Sequence, residues 1–382
     1  MKVAQIAPLI ESVPPTLYGG TERIVSYLTE ELVRQGHEVV LFATGDSRTE
    51  AELVACHDRA LRLAGVADPL PWHVLQLERL RRRADEFDIL HFHCDYLHFP
   101  LARCLNRPTV TTMHGRLDLP DYPALFAEFA DMPLVSISDS QRRPLPLANW
   151  VATVLHGFPA APYRPTPGAH KGWLAFLGRI CPDKGPDRAI EIARRAGVPL
   201  KIAAKVDRVD KPWFDEVIRP MLDDPLIEFL GELDDAGKRK LLSGSRALLF
   251  PIDWPEPFGL AMIEAMACGT PVIAFRRGSV PEVIDHGRSG LIVDSVDEAV
   301  EAVARVGEMD RRLVRDCFDQ RFSVERMTRD YLRVYETVVD AWTATRQIAA
   351  RPLQPAVETL LLHGSNRNLP GQAPLAEEGV GR

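Results

Sequence analysis

The hydrophobic positions of the first 160 or so residues alternate between short apolar runs and stretches with helical spacing. The run KVAQIAP (2–8) is typical of a buried strand, and EVVLFAT (38–44) of a second one. Between them, Ile24, Leu28 and Leu32 recur at helical spacing, and a glycine ends the helix. A strand–helix–strand unit of this kind predicts a parallel sheet. Further strands are predicted at DILHFH (88–93), PTVTTMHG (108–115), LVSIS (134–138) and VATVLHG (151–157).

The pattern stops at GFPAAPYRPTPGAHKG (157–172), which is rich in proline and glycine as a linker is, and then begins again. WLAFLGRI (173–180) is a predicted strand, and PDRAIEIARRAG (186–197) a predicted helix. More strands are predicted at PLKIAA (199–204), LIEFLGEL (226–233), ALLFPI (247–252) and PVIAF (271–275).

The fold class is therefore α/β, with two doubly wound Rossmann-like domains over residues 1–165 and 166–330. Ligands of such sheets bind beyond the carboxyl ends of the strands, so two facing domains predict a cleft. Residues 331–345 predict a C-terminal helix that packs back on the first domain. The polar, proline-rich tail (346–382) is expected to be largely disordered.

Composition narrows the function classes. The chain has 382 residues, 46% hydrophobic and 26% charged, with a net charge of −7, which argues against nucleic acid as a partner. Six cysteines without C-x-x-C spacing suit a reducing compartment and predict a cytoplasmic protein. No apolar run reaches membrane-spanning length, and peripheral membrane contact stays open but is not indicated.

Two carboxylates stand at the beginning of a predicted helix in EPFGLAMIEAMACGTPVI (256–273). Glu256 precedes the helix, and Glu264 lies about two turns into it. They could hold ligand hydroxyl groups beside the helix amides. The alternative is a charge that complements the helix dipole, together with an ordinary surface glutamate.

Cations follow a strand in the second half. LGRICPDKG carries Arg179 and Lys184 between a strand end and a helix start, a placement that suits a diphosphate. In the first half, Gly19 and Gly20 of YGGTE allow a bulky anion to approach the backbone at a helix start. Surface cations and a plain tight turn are the alternatives.

Other signatures are missing from the sequence. It contains no G-x-G-x-x-G after either opening strand, no P-loop motif and no Asp-x-Asp pair that would hold a metal ion against a diphosphate. HFHCDYLH (91–98) resembles a set of metal ligands, but no second cluster accompanies it. We therefore expect His91 and His93 to be a hydrogen-bonded structural pair, and we predict no metal site.

Together, YGGTERIV, TMHG, FLGRICPDKG and EPFGLAMIEAMACGTPVI resemble a retaining glycosyltransferase of family 4 with the GT-B fold. The spacing of Glu256 and Glu264 matches the E-x7-E signature of that family, and GSVPEVIDHGRSGLIV (278–293) resembles its usual continuation. The resemblance runs from residue 1 to about 340. It is generic in the first domain and specific in the second.

The resemblance implies a role for each glutamate and each cation. Glu264 is expected to hold the ribose hydroxyls of the nucleotide, and Glu256 to contact the transferred sugar. Arg179 and Lys184 are expected to grip the diphosphate.

The remaining implied contacts come from three other segments. His114 of TMHG is expected to reach the sugar across the cleft, and FLGEL (229–233), which ends at Leu233, to line the base. The backbone amides of the second helix start are expected to face sugar and diphosphate: Phe258, Gly259 and Leu260.

The implied activity is transfer of a hexose from a nucleoside-diphosphate sugar, UDP- or GDP-linked, to an acceptor hydroxyl with retention of configuration, without a metal ion or cofactor. A sugar-nucleotide 2-epimerase-like isomerase and a non-catalytic sugar-nucleotide-binding protein are the alternatives. The acceptor could be a small molecule, a glycan or a lipid-linked sugar. Its choice is expected to depend on loops of the first domain such as 8–18, 44–60 and 93–100. Two departures from the family pattern, His156-Gly157 and IAAKVDRVD (202–210), leave the nucleotide preference open.

Overall fold

A computed structural model describes residues 1–161, 163, 165 and 172–349. Met1–Trp342 forms one compact unit, which holds both predicted domains; the second unit is Thr343–Arg382. At the predicted domain junction, residue 165 is described and residue 166 lies outside the described residues. The tail predicted to be disordered begins at 346, but 346–349 belong to the last helix, and 350–382 lie outside the described residues.

The first sheet has seven strands, and every neighbouring pair is parallel. Its order is β3-β2-β1-β4-β5-β6-β7, so the chain reverses its direction of winding between β1 and β4. The strands are β1 Lys2–Ile6, β2 Glu38–Thr44, β3 Glu52–His57, β4 Ile89–Phe92, β5 Thr109–Thr112, β6 Leu134–Ser136 and β7 Trp150–Thr153.

The second sheet has six parallel strands in the order β10-β9-β8-β11-β12-β13. Its winding reverses between β8 and β11, and ligands of such sheets bind at this point, beyond the carboxyl ends of the strands. The strands are β8 Trp173–Arg179, β9 Leu200–Lys205, β10 Ile227–Gly231, β11 Ser245–Phe250, β12 Val272–Phe275 and β13 Gly290–Val293. The predicted α/β class with two doubly wound sheets is confirmed.

α-Helices connect the strands in both halves. In the described part of the chain they are α1 Gly20–Arg34, α2 Leu70–Arg81, α3 Phe99–Leu105, α4 Tyr122–Glu128, α5 Asp139–Arg142, α6 Pro186–Ala196, α7 Lys211–Trp213, α8 Asp235–Gly244, α9 Leu260–Ala267, α10 Val280–Val283, α11 Val296–Arg305, α12 Arg311–Arg321 and α13 Val324–Ala349.

Successive residues of a strand point to opposite faces of its sheet, and both faces are covered. In β1, Val3 packs in the cluster that contains Leu28 of α1, whereas Ala4 packs in the cluster that contains Leu80 of α2. This two-sided burial explains why the central strands are continuous apolar runs that are easily recognised in the sequence.

Two expected loops and one strand were predicted wrongly. The segment 44–60, expected to be a loop, contains β3. This strand lies at the sheet edge and only one of its six residues is buried, so it lacks the apolar run that marks the central strands. The expected loop 93–100 already includes the first residues of α3, and β13 was not predicted as a strand at all.

The C-terminal helix α13 begins seven residues before the predicted start at 331. The hydroxyls of its Tyr331 and Tyr335 reach the first sheet, where they contact Thr112 and Gln5. A search of the described residues finds no helix with the length and hydropathy that a membrane span needs.

Candidate functional site

A cleft of about 700 Å³ lies between the carboxyl edges of the two sheets. Its walls come mainly from the segments that follow β1, β5, β8 and β11, and the last two strands flank the point where the winding of the second sheet reverses. All the residues that the sequence predicted to contact the ligand line it: Gly19, Gly20, His114, Arg179, Lys184, Leu233, Glu256, Phe258, Gly259, Leu260 and Glu264. The structure therefore brings together residues that are up to 245 positions apart (from Gly19 to Glu264).

Glu256 makes an ion pair with Lys184 on the floor of this cleft. The same carboxylate oxygen accepts a hydrogen bond of 2.9 Å from the indole Nε1 of Trp254, and the Lys184 ammonium lies 4.6 Å from that ring's centroid. The Glu256 residue is 8% exposed. The pairing holds the carboxylate and the cation side by side, each within reach of a ligand that enters the cleft.

Arg179 ends β8 and is also paired with carboxylates. Its guanidinium lies 3.4 Å from Asp210 and 3.8 Å from Asp207, and the latter also receives Lys205 at 2.7 Å. These distances to Arg179 are long for charge-assisted hydrogen bonds. The guanidinium is thus held at the cleft by weak contacts that a stronger anion can replace.

Two helix N-termini meet at the cleft, and neither has a side-chain cap. Gly259 precedes α9 with a φ of 84°, and a Cβ at this position would lie 2.5 Å from the Met262 side chain. A Cβ on Gly20, the first residue of α1, would lie 3.2 Å from the Leu260 side chain. The first amides of both helices therefore remain for a ligand, and they add positive partial charge from two sides.

Glu264 is almost enclosed, with 6% of the residue exposed. Burial raises the pKa of its carboxyl group, although the positive charges of Lys238 and Arg23 act in the opposite direction. Arg23 comes from the first domain and pairs with Asp235 of the second at 2.5 Å. Glu264 therefore stands at a polar junction of the two domains, where a ligand hydroxyl could satisfy its oxygens.

His114 follows β5 and lines the opposite wall. Its Nε2 is 2.9 Å from Nδ1 of His93, and its ring stacks on His156 with centroids 5.3 Å apart. Burial lowers the pKa of His114 to about 3. The imidazole is therefore a neutral hydrogen-bonding group and not a cation.

His91 and His93 are hydrogen-bonded to protein groups, as the sequence predicted. His91 meets Tyr335 at 2.7 Å and Thr112 at 2.8 Å, and His93 meets Gln5 at 2.8 Å and His114 at 2.9 Å. Among the residues that the structure describes, no group of three or more His, Cys, Asp or Glu is placed to hold a metal ion.

Several residues that shape the site were missed in the sequence. Trp254 and Arg23 are examples, although Arg23 belongs to the quoted motif YGGTERIV and Trp254 lies two residues before Glu256. Gly278 has a φ of 53°, and a Cβ there would collide with the Glu256 backbone at 2.3 Å. The Ser279 amide then donates to the Glu256 carbonyl at 2.9 Å, so the segment after β12 fixes the glutamate loop.

Comparison with known families gives one match for each half of the chain. Residues 18–157 match the model described as Glycosyltransferase Family 4, and residues 168–317 match Glycosyl transferases group 1. The chain is a glycosyltransferase of the GT-B type. The family expected from the sequence is thereby confirmed at this level, while the retaining mechanism and the residue roles stay predictions.

Two curated relatives match this glycosyltransferase along about nine-tenths of its length. An uncharacterized glycosyltransferase of Methanocaldococcus jannaschii, MJ1607, is 23% identical over 390 residues, which cover 88% of this chain and 99% of the relative. A glycogen synthase of Mycobacterium tuberculosis is 27% identical over 410 residues, which cover 91% and 97%.

Among solved structures, HepE of Anabaena, crystallised in complex with UDP and glucose, superposes with a TM-score of 0.68. It is 16% identical, and the match covers 88% of this chain and 99% of HepE. At this identity the likeness establishes the shared fold.

Proposed function

We propose that this glycosyltransferase transfers a hexose from a nucleoside-diphosphate sugar, UDP- or GDP-linked, to an acceptor hydroxyl with retention of configuration and without a metal ion. The observation that carries the proposal is the meeting of two uncapped helix N-termini with Arg179 and Lys184 in one cleft. That arrangement is a preorganised site for a dianionic group. The glycogen synthase relative and the UDP and glucose bound by HepE support a sugar-nucleotide donor.

The reaction breaks the bond between the anomeric carbon and the diphosphate oxygen, and the diphosphate leaves with the electron pair. The acceptor oxygen forms the new bond on the same face of the sugar, and its proton passes to the departing phosphate oxygen. The chain stabilises the growing negative charge with Arg179, Lys184 and the first amides of α1 and α9. No residue of the cleft is proposed as a covalent nucleophile.

Binding of the diphosphate also changes the partners of the cleft residues. In the structure Lys184 is paired with Glu256, and Arg179 with Asp207 and Asp210. A diphosphate that recruits Lys184 frees an oxygen of Glu256, which we assign to a hydroxyl of the transferred sugar. We assign Glu264, which lies about two helical turns after Glu256, to the ribose hydroxyls.

Substitution of each glutamate separates these two roles. Glu264→Gln should weaken binding of the free nucleoside diphosphate by roughly tenfold, because a charged hydrogen-bond partner of the ribose is lost. Glu256→Gln should leave that affinity nearly unchanged, since the free diphosphate carries no sugar. With the intact donor, Glu256→Gln should lower kcat more than it raises KM.

Isothermal titration calorimetry with UDP, GDP and ADP measures the first effect, and steady-state kinetics the second. Each variant replaces one carboxylate of the cleft with a neutral amide of the same size, so each is the control for the other. Equal effects of both variants on diphosphate affinity, or the reverse order, would contradict the assignment. The carboxylates would then serve only the helix and its dipole.

A further inference from the structure

A buried chain of hydrogen bonds links helix α13 to the cleft. The Tyr335 hydroxyl accepts from Nε2 of Gln5 at 3.0 Å, and Oε1 of Gln5 is 2.8 Å from Nε2 of His93. Nδ1 of His93 is 2.9 Å from Nε2 of His114, which lines the cleft. Gln5, His93 and Tyr335 are at most 2% exposed, so water does not compete for these bonds.

The amide of Gln5 determines which atoms donate and which accept along this series of hydrogen bonds, because its oxygen only accepts and its nitrogen only donates. Since the oxygen faces His93, Nε2 of His93 must carry a proton. In a neutral imidazole the other nitrogen is then an acceptor, so Nδ1 of His93 accepts. Its partner, Nε2 of His114, must therefore be the donor.

Donors and acceptors can be assigned in the same way for the hydrogen bonds on the other side of Tyr335. Tyr335 already accepts from Gln5, and its own proton is directed to Nδ1 of His91 at 2.7 Å. Nε2 of His91 then donates to the Thr112 hydroxyl at 2.8 Å. Each polar group on this path thus has a partner of the opposite kind, as buried networks require.

We infer that Gln5, His93 and Tyr335 are positioning residues that hold His114 as the tautomer with a proton on Nε2, so that Nδ1 is a hydrogen-bond acceptor for a hydroxyl of the ligand in the cleft. Among the side-chain hydrogen bonds of the described residues, the one that His114 makes uses Nε2, and Nδ1 stays available to a ligand in the cleft. The inference deepens the proposed function, on which it rests for the identity of that ligand as the donor sugar. It makes the hydroxyl at that position of the sugar a required hydrogen-bond donor.

Nuclear magnetic resonance tests the tautomer directly on the ligand-free full chain. Imidazole nitrogen chemical shifts of ¹⁵N-histidine-labelled protein distinguish a protonated Nε2 from a protonated Nδ1, and the His114→Asn variant identifies the His114 signals. We expect a single tautomer with the proton on Nε2. A proton on Nδ1, or a mixture of both forms, would overturn the inference whatever reaction the protein catalyses.

A matched pair of variants tests the role of the helix. Tyr335 and Tyr331 lie four residues apart on α13, both are fully buried, and each loses one hydroxyl on substitution by Phe. The Tyr331 hydroxyl meets Thr112 at 3.0 Å and lies outside the path from Tyr335 to His114. Only Tyr335→Phe should disturb the amide of Gln5.

We expect Tyr335→Phe to populate both His114 tautomers and to lower kcat/KM for the donor by roughly threefold to tenfold, the worth of one neutral hydrogen bond. Tyr331→Phe should keep the wild-type nitrogen shifts and kcat/KM. For a donor that lacks the contacted hydroxyl, kcat/KM should be the same with wild type and with Tyr335→Phe, because this donor cannot donate a hydrogen bond to Nδ1 of His114. If both Phe variants leave the shifts unchanged, or both change them alike, the positioning role of Tyr335 is wrong.

Discussion

Arg179→Ala and Lys184→Ala should each lower the turnover of the true donor by about 100- to 1000-fold, the usual cost of removing one group that stabilises transition-state charge. The departing diphosphate gains charge as the bond breaks, and these two side chains are the cations we assign to it. The protein should stay folded, because both residues line the cleft and neither belongs to a hydrophobic cluster.

A third cation of the same domain provides the control. Arg195 on α6 makes exposed ion pairs with Glu191 and Asp297, at 3.3 and 2.5 Å, away from the cleft. Arg195→Ala removes one positive charge from the domain and should leave kcat within about twofold, since exposed pairs contribute little. Near-normal turnover of all three variants would mean that the diphosphate binds elsewhere.

The first domain should lose stability as the pH falls below about 6.5, because five of its histidines are held neutral. Burial lowers the pKa of His98 and His114 to about 3, and lowers it well below the ordinary value in the other three. In the unfolded chain each would bind a proton near pH 6.5, whereas in the folded chain it does not. The histidines are His91, His93, His98, His114 and His156.

Between about pH 6.5 and 3 the unfolded state binds more protons at these histidines than the folded state does. Lowering the pH therefore lowers the free energy of unfolding. From about pH 7.5 to 5.5 each histidine costs about 1.4 kcal/mol, or about 7 kcal/mol for five. Glu22 acts in the opposite direction, because burial raises its pKa to about 7 and the folded state takes up its proton. This uptake offsets about 2 kcal/mol of the loss. A net loss of about 5 kcal/mol is large against a typical stability of about 5–15 kcal/mol.

Urea unfolding of the full chain at a series of pH values measures this effect. His98 is the residue to vary, because it is fully buried, stacks on Phe92 and does not line the cleft. His98→Asn should reduce the slope of unfolding free energy against pH by about one proton, whatever it does to stability at pH 7.5. A free energy of unfolding that does not change between about pH 7.5 and 5.5 would contradict the account.

A structural feature could be predicted from the sequence where its signal lies within a few neighbouring residues. The central strands and helix α1 were predicted because their signals, an apolar run or helical spacing that ends at a glycine, lie within a few residues. The edge strand β3 was missed because its residues are partly exposed and lack that run. The candidate site residues were found through motifs, and the structure places them in one cleft.

Long-range pairing was not predictable in the same way. Lys184 and Glu256 are 72 residues apart, and Gln5 and Tyr335 are 330 apart. No spacing rule connects such positions, since the contact depends on the path of the whole chain. Gln5 itself sits in an apolar strand, where a single polar residue gives no hint of its partners.

The central claim is that the cleft activates a nucleoside-diphosphate sugar, and a donor panel tests it most directly. The full chain is incubated with UDP-, GDP- and ADP-linked hexoses in buffer with EDTA, and the nucleoside diphosphate released is quantified against Lys184→Ala. We expect one donor class to release its diphosphate with the wild type, and on the order of 100-fold less with the variant. Release that requires added Mg²⁺ or Mn²⁺ would overturn the metal-free mechanism, and no release from any donor, with or without metal, would contradict the transferase itself.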